Sequence, residues 1–337
     1  MTMERPVISI LTPVHNNAAS LRGAVESALF ASKDCKLEIV LAENGSNDDS
    51  LRLCHALADE YPEVRAYKVQ EVGVSRARNL ALQKATGDYL SFLDADDRLA
   101  PGSLDLLFRL LAETGADVAG GGLVRGTSYE NWEAAFAEAG AAVGTPWEEV
   151  SGAEYVRKGL IRQDTSVCTK LFSRNAVGEL RFPTELTVGE DMLFLLRALL
   201  QPGIRYVRTQ KPFYYYYWNT QSAMNQKYAH SYLDQIRCWE KAEAFLRENC
   251  PEVLAEEAVS TGLHSIQAVS ALLVADKLAG LSAKEREAVA DDWSLVRRFV
   301  QERLQDGRVK ASLAPPHRVR AVLLQHFPKL YMRVFGR

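Results

Sequence analysis

The sequence predicts an α/β protein with a mostly parallel central sheet, followed by a helical C-terminal region. Short apolar runs alternate with amphipathic helical patterns from residue 7 to about residue 111, as expected for strands joined by right-handed helical crossovers. Beyond about residue 228, Glu, Lys, Arg, Ala and Leu dominate almost continuously, which favours helices. We therefore predict a sheet domain at residues 1–226 and a helical region at residues 227–337.

The predicted elements of the sheet domain follow one another with short connections. The first strand, residues 7–11, is apolar and should end before Pro13, since proline cannot donate within a central ladder. The elements after it are a helix at 21–30, a strand at 37–42, a helix at 51–60, a strand at 64–69, a helix at 73–84, a strand at 89–93 and a helix at 103–111. Because the strands are parallel, the polar loops near Asn16, Asn44 and Asp96 should meet at one edge of the sheet.

Three acids, Asp94, Asp96 and Asp97, directly follow the strand at 89–93. Carboxylates this close repel one another unless a cation, a helix end or solvent compensates them. A Mn²⁺ or Mg²⁺ ion would use all three, because these cations take oxygen ligands and complete their coordination with phosphate and water. A turn in which Asp97 caps the next helix explains the acids equally well. The acids alone leave both interpretations open.

The bulk composition is that of a soluble globular protein, with 337 residues of which 47% are hydrophobic and 25% are charged. The net charge of −3 argues against general nucleic-acid binding. Five cysteines without a C-x-x-C pair favour a reducing compartment. The N-terminus shows no secretory signal, and no apolar stretch approaches the ~20 residues of a membrane span, so we expect a cytoplasmic protein.

Fewer regular elements are predicted downstream of the acids. A strand is expected at residues 116–124, an apolar segment follows at 167–172, and an aromatic run occupies 213–218. Glu190 and Asp191 open a helix, where acids commonly compensate the positive end of the helix dipole.

Several segments, taken together and in order, resemble family 2 glycosyltransferases of the GT-A fold, in their bacterial polysaccharide branch. They are residues 7–16, 38–46, 73–79, 87–97, 169–172 and 189–191, and the Tyr-rich stretch that ends at Ser222. The resemblance covers about residues 6–225. It implies a nucleotide-sugar donor, most often a UDP-sugar, and transfer with inversion at the anomeric carbon.

The resemblance also implies roles for individual residues. Asp94 would face the ribose, Asp96 would hold a Mn²⁺ or Mg²⁺ ion on the donor diphosphate, and Asp191 would be the general base. For Asp97, a helix cap is then the preferred role. The other donor-binding candidates are Thr12, Pro13, His15, Asn16, Asn44, Arg78, Ala95, Lys170 and Glu190.

Three positions depart from the family pattern. Asn44 stands where an acid usually accepts a hydrogen bond from uracil N3, and His15 stands where an aromatic ring commonly stacks on the base. An amide acceptor and a flat imidazole still fit uridine. The stretch 214–222 carries Tyr217 where related enzymes often have Arg or His, and we expect Tyr214 to pack in the core.

The C-terminal tail differs in charge from the rest of the chain, because seven basic residues and no acid follow Asp306. Between residues 317 and 334, apolar residues recur every three or four positions, and Pro328 should divide the segment into two short amphipathic helices. Such a tail can lie on anionic lipid at the inner face of the cell membrane, or pack on the protein with a solvated basic face. The sequence of residues 228–306 does not distinguish between an acceptor platform, a homodimer contact and a docking surface.

Two classes of function remain open at this point. The leading hypothesis is an inverting, metal-dependent glycosyltransferase that moves a sugar from a nucleotide-sugar to a hydroxyl of a glycan or lipid-linked acceptor in surface polysaccharide synthesis. The alternative is an inactive scaffold or sensor that binds a nucleotide-sugar. A sugar-phosphate nucleotidyltransferase is disfavoured, because residues 11–16 offer neither glycine nor a cation for its N-terminal loop.

Overall fold

The structure is a computed structural model that describes residues 5–130, 132–141, 146–218 and 227–336. The chain divides into two compact units. The sheet unit comprises Met1–Gly152, Thr165–Glu185 and Phe194–Asn219, and the helical unit comprises Ala153–Asp164, Leu186–Leu193 and Thr220–Arg337. The predicted boundary after residue 226 lies at 219–226, outside the described residues, so the division into domains at that point stays a prediction.

The strands of the sheet unit form one sheet. They are β1 (Val7–Val14), β2 (Lys36–Glu43), β3 (Val64–Lys68), β4 (Tyr89–Phe92), β5 (Arg98–Leu99), β6 (Val118–Gly126), β7 (Trp147–Val150), β8 (Lys170–Ser173) and β9 (Tyr206–Tyr217). Their order is β3-β2-β1-β4-β8-β6-β9-β5, and β7 pairs with β9. The strands β3, β2, β1 and β4 are parallel, whereas β8 is antiparallel to both β4 and β6. The predicted α/β fold with a mostly parallel sheet is confirmed.

In the described part of the chain, helices lie between these strands or flank them. They are α1 (Leu21–Leu29), α2 (Ser50–Glu60), α3 (Val74–Lys84), α4 (Ser103–Thr114), α5 (Trp132–Ala141), α6 (Gly152–Glu154), α7 (Arg174–Val177) and α8 (Glu190–Leu199). The core includes β1, where Ile8, Ile10 and Leu11 are fully buried. Because adjacent side chains point to opposite faces of a strand, both faces of β1 must be covered.

The predicted strands and helices up to residue 114 occur within a few residues of their expected positions. One strand end is wrong, because β1 continues through Pro13 to Val14 instead of ending before the proline. Pairing of β1 with β4 stops at Leu11, while pairing with β2 continues to Val14. A proline is tolerated where the strand has lost one of its two neighbours.

The helical unit contains a second set of helices. They are α9 (Asp234–Asn249), α10 (Pro251–Leu254), α11 (Glu257–Ala279), α12 (Ala283–Ala288), α13 (Ala290–Arg303), α14 (Gly307–Ser312), α15 (Pro315–His326) and α16 (Pro328–Phe335), with a π-helical turn at Tyr155–Gly159 and 3₁₀ turns at Leu160–Arg162 and His230–Leu233. The helices α15 and α16 meet at Phe327, directly before Pro328. The predicted division of the tail into two short helices is confirmed.

By length and apolar composition, α11 could cross a membrane, and no other helix in the described ranges meets that criterion. The expectation that no stretch approaches this length is therefore wrong, since small and polar residues such as Ser260, Thr261 and Gln267 conceal the apolar run in the sequence. More than half of its most apolar segment is buried inside the unit, where α11 packs on α13 and α14. This burial identifies α11 as the central core helix of the unit.

Candidate active site

The carboxyl ends of β1, β2 and β4 meet at one edge of the sheet, as the sequence predicts. The register pairs Thr12 with Leu41 and Leu11 with Phe92, so the three strands end within a few residues of one another. The strand ends and the loops after them carry the predicted candidates Thr12, Pro13, His15, Asn16, Asn44, Asp94, Ala95 and Asp96. We call this region the sheet edge.

The imidazole ring of His15 is held by both of its nitrogens. Its Nδ1 lies 2.9 Å from the backbone carbonyl of Asn44, which can only accept, so Nδ1 carries a proton. Its Nε2 lies 3.2 Å from Asn16 Nδ2. The amide oxygen of Asn16 already accepts from the Asn47 N–H, so the Asn16 amide donates to Nε2. The plane of the ring is therefore fixed at the sheet edge.

The buried side chain of Asn44 holds the start of α3. Its amide oxygen accepts a 2.7 Å hydrogen bond from the Gly73 N–H. Because a backbone N–H can only donate, the contacting atom must be the oxygen, and the NH₂ group points elsewhere. A ligand atom beside that NH₂ group would have to be an acceptor.

Arg78 and Asp94 form an ion pair that joins α3 to the loop after β4. The Arg78 Nη2 lies 3.0 Å from Asp94 Oδ1, and the Arg78 side chain is only 6% exposed. The guanidinium also lies over the Phe182 ring, 5.5 Å from its centroid. Two residues expected to bind the donor separately thus contact each other, and one of the three acid charges is compensated within the protein.

Asp96 lacks such a partner. Its carboxylate makes no hydrogen bond or ion pair with another residue in the described part of the chain, although its backbone carbonyl accepts from the Tyr129 hydroxyl at 2.7 Å. Burial, and secondly the charge of Asp94, raises the pKa of Asp96 to about 6. A half-buried acid without a partner fits a bound cation.

The described residues contain no group of three or more His, Cys, Asp or Glu side chains arranged to hold a metal ion. An ion beside Asp96 would therefore take most of its oxygens from elsewhere. Mg²⁺ commonly binds in this way, through one or two carboxylates together with substrate phosphates and water.

Asp97 does not cap a helix, and that expectation is wrong. The residue before α4 is Gly102, which makes no side-chain cap. The buried Asp97 carboxylate instead accepts hydrogen bonds from the Tyr214 hydroxyl at 2.6 Å and from the Tyr217 N–H at 2.8 Å. Burial, and then the charges of Asp94 and Asp96, raises the pKa of Asp97 to about 8.

Tyr214 is buried, as predicted, but it also connects two parts of the sheet edge. Its hydroxyl donates to Asp97 and accepts from the Asp94 N–H at 3.2 Å. The end of β9 is thereby fixed to the acid loop. The Tyr-rich stretch was the only sequence signal for this contact, and it did not identify the partner.

Lys170 lies on β8 next to the strand that carries the acids, and it is only 1% exposed. Its ammonium donates to Thr169 Oγ1 at 2.8 Å and to the Ser166 carbonyl at 3.2 Å. Burying an ammonium costs free energy unless its charge is compensated. Lys170 lies beside the strand that leads to the acids, which carry the opposite charge.

Three buried polar atoms at the ends of β1 and β2 and at the start of α3 have no hydrogen-bond partner among the described residues. They are Thr12 Oγ1, Glu43 Oε2 and Ser75 Oγ. Buried polar groups are normally satisfied, so these atoms indicate a place where a ligand or water binds. Glu43 and Ser75 were not singled out from the sequence, because their burial depends on the packing of α3.

Glu190 and Asp191 form the first turn of α8 and belong to the helical unit rather than to the sheet edge. The Met192 N–H donates to Asp191 Oδ1 at 2.8 Å. This carboxylate therefore compensates the positive end of α8, as the sequence suggests for acids in a first turn.

The loop before α8 is held against α9 by contacts that the sequence does not indicate. The Thr187 N–H and hydroxyl both donate to Asp234 Oδ2, at 2.8 and 2.9 Å. Gly189 has a φ of +81°, and a Cβ there would lie 2.5 Å from Cys238 Sγ, so only glycine fits. Asp234 and Cys238 are one turn apart on α9 and together fix the loop that leads to Asp191.

A sequence profile described as "Glycosyl transferase family 2" matches residues 9–180, which is more than half of the chain. The chain belongs to this family. The matched segment contains most of β1, the strands β2 to β4, the acid loop and Lys170, and therefore most of the sheet edge.

Some individual relatives match a shorter part of the chain. The uncharacterized glycosyltransferase YibD of Escherichia coli is 35% identical over 112 residues, which are 33% of this chain and 32% of YibD. This chain thus covers 32% of YibD and 41% of an uncharacterized glycosyltransferase of Haemophilus influenzae, which is less than half of either relative.

Two solved structures confirm the GT-A fold. S. aureus TarS 1–349 in complex with UDP-GlcNAc has a TM-score of 0.63 at 18% identity, covering 98% of this chain and 90% of that one. The mannosyltransferase PcManGT from Pyrobaculum calidifontis, in complex with GDP-Man and Mn²⁺, has a TM-score of 0.54 at 16% identity, covering 99% and 88%. At these identities the likeness concerns the fold.

Proposed function

We propose that this family 2 member is an inverting glycosyltransferase that moves a sugar from a nucleotide-sugar, preferably a UDP-sugar, to a hydroxyl of a glycan or lipid-linked acceptor. The observation that carries the proposal is the half-buried carboxylate of Asp96 at the sheet edge, which has no partner among the residues that the structure describes. Ligands bind at this edge in open α/β sheets. The UDP-GlcNAc complex of TarS and the motifs that resemble the polysaccharide branch support a UDP-sugar and surface polysaccharide synthesis.

Asp96 would hold the divalent cation, Mn²⁺ or Mg²⁺, of this reaction. When bound, such an ion neutralises charge on the diphosphate that leaves with the nucleoside. Arg78 Nη2 lies 3.0 Å from Asp94 Oδ1, and this ion pair orients the carboxylate of Asp94 next to Asp96. The Mn²⁺ complex of PcManGT supports the metal, since that protein shares the fold.

The remaining side chains of the sheet edge would bind the donor. His15 offers a flat ring of fixed orientation for stacking, and Asn16 holds that ring. Asn44 presents an amide beside it, and the hydroxyl of Thr12, which has no partner in the described structure, can donate to the nucleotide. Lys170 would face anionic oxygens of the donor. Pro13, Ala95 and Glu190 remain candidates by their motif positions.

Asp191 would act as the general base. It takes the proton of the acceptor hydroxyl while that oxygen attacks the anomeric carbon and the nucleoside diphosphate leaves from the opposite face, so the configuration inverts. The new glycosidic bond forms as the bond to the diphosphate breaks. The hydrogen bond from the Met192 N–H orients Asp191 for this task.

The proposal includes a cytoplasmic location on the inner side of the cell membrane, where the basic tail would contact lipid. A homodimer through the helical unit is also proposed, and sedimentation velocity of the purified chain would test it.

Nucleotide release from UDP-, GDP- and CDP-sugars, measured with and without Mn²⁺, tests the enzymatic proposal. We expect slow Mn²⁺-dependent hydrolysis of one class of donor by the wild-type chain, and none by Asp96→Ala. Asp59→Ala, which removes an exposed acid on α2, is the matched control. Failure of every donor to react would contradict the proposal.

An inactive nucleotide-sugar-binding scaffold is the second candidate. It is favoured by Asn44, whose amide oxygen is used to hold Gly73 instead of being kept for a base. Tight binding of a nucleotide-sugar without any turnover would select this candidate. Turnover by the wild-type chain would reject it.

A further inference from the structure

The two tail helices expose an unusual number of large apolar side chains. Of the ten such residues exposed in the described structure, four lie between residues 319 and 334. These are Val319, Phe327, Leu330 and Val334, with exposed fractions of 57%, 56%, 46% and 47%. Leu330 and Val334 adjoin one turn apart on α16, and adjoining exposed apolar side chains commonly mark an interaction site. We call these four residues the tail strip.

The tail strip is not exposed because the tail is unpacked. Ala321, Leu324 and Tyr331 are fully buried in the core of the helical unit. The hydroxyl of Tyr331 donates to Asp276, and its ring packs near Trp293. The helices are therefore anchored by one face, and the strip lies on what remains outside.

Cations accompany the strip on α16. Leu330 and Val334 are four residues apart and share a helix face, and Lys329 and Arg333, also four apart, lie on the adjoining face. Both cations are exposed, and neither forms an ion pair within the residues that the structure covers. Arg320, by contrast, pairs with Asp276 at 3.3 Å and points back to the unit.

This combination of charge and apolar surface selects one kind of partner. Residues 307–336 contain no acid, so the same strip on a second copy could not pair with Lys329 and Arg333. A surface of anionic lipid offers phosphates for the cations and an apolar interior for the side chains of the strip.

We propose that the tail strip, with Lys329 and Arg333, docks the chain on anionic lipid headgroups. Phe327, Leu330 and Val334 would enter the boundary between headgroups and acyl chains, while the cations contact phosphate. This inference rests on the proposed function and deepens it, since a lipid-linked acceptor is presented at the same kind of surface. The sequence allowed the tail either to lie on lipid or to pack on the protein. Our proposal combines the two, because the tail packs on the protein and still keeps an apolar, basic face outside.

Vesicle co-sedimentation of the full chain tests the inference. We expect binding to phosphatidylcholine vesicles that contain phosphatidylglycerol, and little binding to phosphatidylcholine alone. The double variant Lys329→Gln/Arg333→Gln should bind about 30-fold more weakly, about fivefold for each cation. The affinity of the wild type should fall as salt is added, because exposed charges are screened.

The apolar part needs its own variant and control. Phe327→Ser/Leu330→Ser should weaken vesicle binding at least about tenfold while leaving thermal unfolding unchanged, since both side chains are exposed. Phe30→Ser is the matched control, because that ring is 66% exposed on the sheet unit, and it should bind vesicles as the wild type does.

Several results would overturn the inference. They are absence of vesicle binding by the wild type, equal binding to vesicles without phosphatidylglycerol, and unchanged vesicle binding by both tail variants. A change from dimer to monomer in Phe327→Ser/Leu330→Ser, with lipid binding intact, would instead assign the strip to a contact between copies. UDP titrations of the same samples separate this failure from that of the proposed function, since intact Mn²⁺-dependent UDP binding would leave the latter standing.

Discussion

Buried carboxylates have opposite environments in the two units of the chain. At the sheet edge, burial raises the pKa of Asp96 to about 6 and that of Asp97 to about 8. In the helical unit, the His264 ring, whose Nε2 lies 3.8 Å from the carboxylate, acts together with Gln267 and Arg303 to lower the pKa of Glu243 to about 2. The same type of side chain is thus disfavoured as an anion in one place and favoured in the other.

This difference in pKa separates acids that stabilise the fold from acids that are available to a ligand. Glu243 accepts hydrogen bonds from Gln267 at 2.9 Å and from Arg303 at 3.3 Å. Its negative charge is therefore compensated within the protein. Asp96 has no such donors in the described structure, and its ionisation costs stability. Acids whose ionised form is disfavoured by their surroundings are typical of binding and catalytic sites.

The largest effect is expected for Asp191, the acid of the helical unit that we propose as the general base. Asp191→Asn keeps the side chain's shape and its oxygen for the Met192 N–H, but removes the base. Transfer should fall about 10²- to 10⁴-fold, whereas UDP affinity should stay within about twofold. Normal turnover by Asp191→Asn, measured as product formation with acceptor, would exclude the assigned base.

The next largest effect should be on stability and confined to the helical unit. Glu243→Ala leaves Arg303 and Gln267 without their acceptor, so the free energy of unfolding should drop by about 3–5 kcal/mol. Denaturant titration gives this value. Glu240→Ala, an exposed acid on the same helix, should change it by less than about 0.5 kcal/mol. Equal effects of the two variants would remove the contrast between the units.

Loss of the Tyr214 hydroxyl should have a smaller effect at the sheet edge. Tyr214→Phe leaves the buried Asp97 carboxylate with one donor fewer, which should cost about 1–3 kcal/mol of unfolding free energy. UDP affinity should also weaken, because the Asp94 N–H loses its acceptor. Tyr67→Phe on β3 is the control with an unchanged sheet edge. A variant as stable as the wild type would show that Asp97 finds another donor.

The smallest effect is a pH dependence that separates the two units. Because the folded pKa of Glu243 lies below its ordinary value of 4.5, its contribution to stability is present above about pH 4.5 and is lost as the pH falls toward about 2. The wild type should therefore lose more unfolding free energy than Glu243→Gln over that acid range. Thermal unfolding at a series of pH values measures the difference, and parallel curves would contradict it.

Local patterns in the sequence were sufficient for the parallel part of the fold and for the place where the acids lie. The strands β1, β2 and β4 are short, largely apolar runs followed by polar residues, and the register of parallel strands then brings these ends together. The family resemblance added roles that spacing alone left open.

Contacts between distant segments could not be predicted in the same way. The cap assigned to Asp97 was wrong because its partner, Tyr214, is 117 positions away and no local pattern pairs them. The hydrogen bonds that Asp234 accepts from Thr187 and that Asn44 accepts from Gly73 depend equally on how helices pack. The antiparallel pairing of β8 with β4 is likewise a contact between distant segments.

The central claim is that Asp96 at the sheet edge binds a cation that holds the donor diphosphate. Calorimetric titration of UDP into the wild type and Asp96→Ala, each with and without Mn²⁺, tests it most directly. The account predicts that Mn²⁺ raises UDP affinity at least about tenfold in the wild type and has no effect in Asp96→Ala. Equal Mn²⁺ dependence in the two proteins, or none in the wild type, would contradict it.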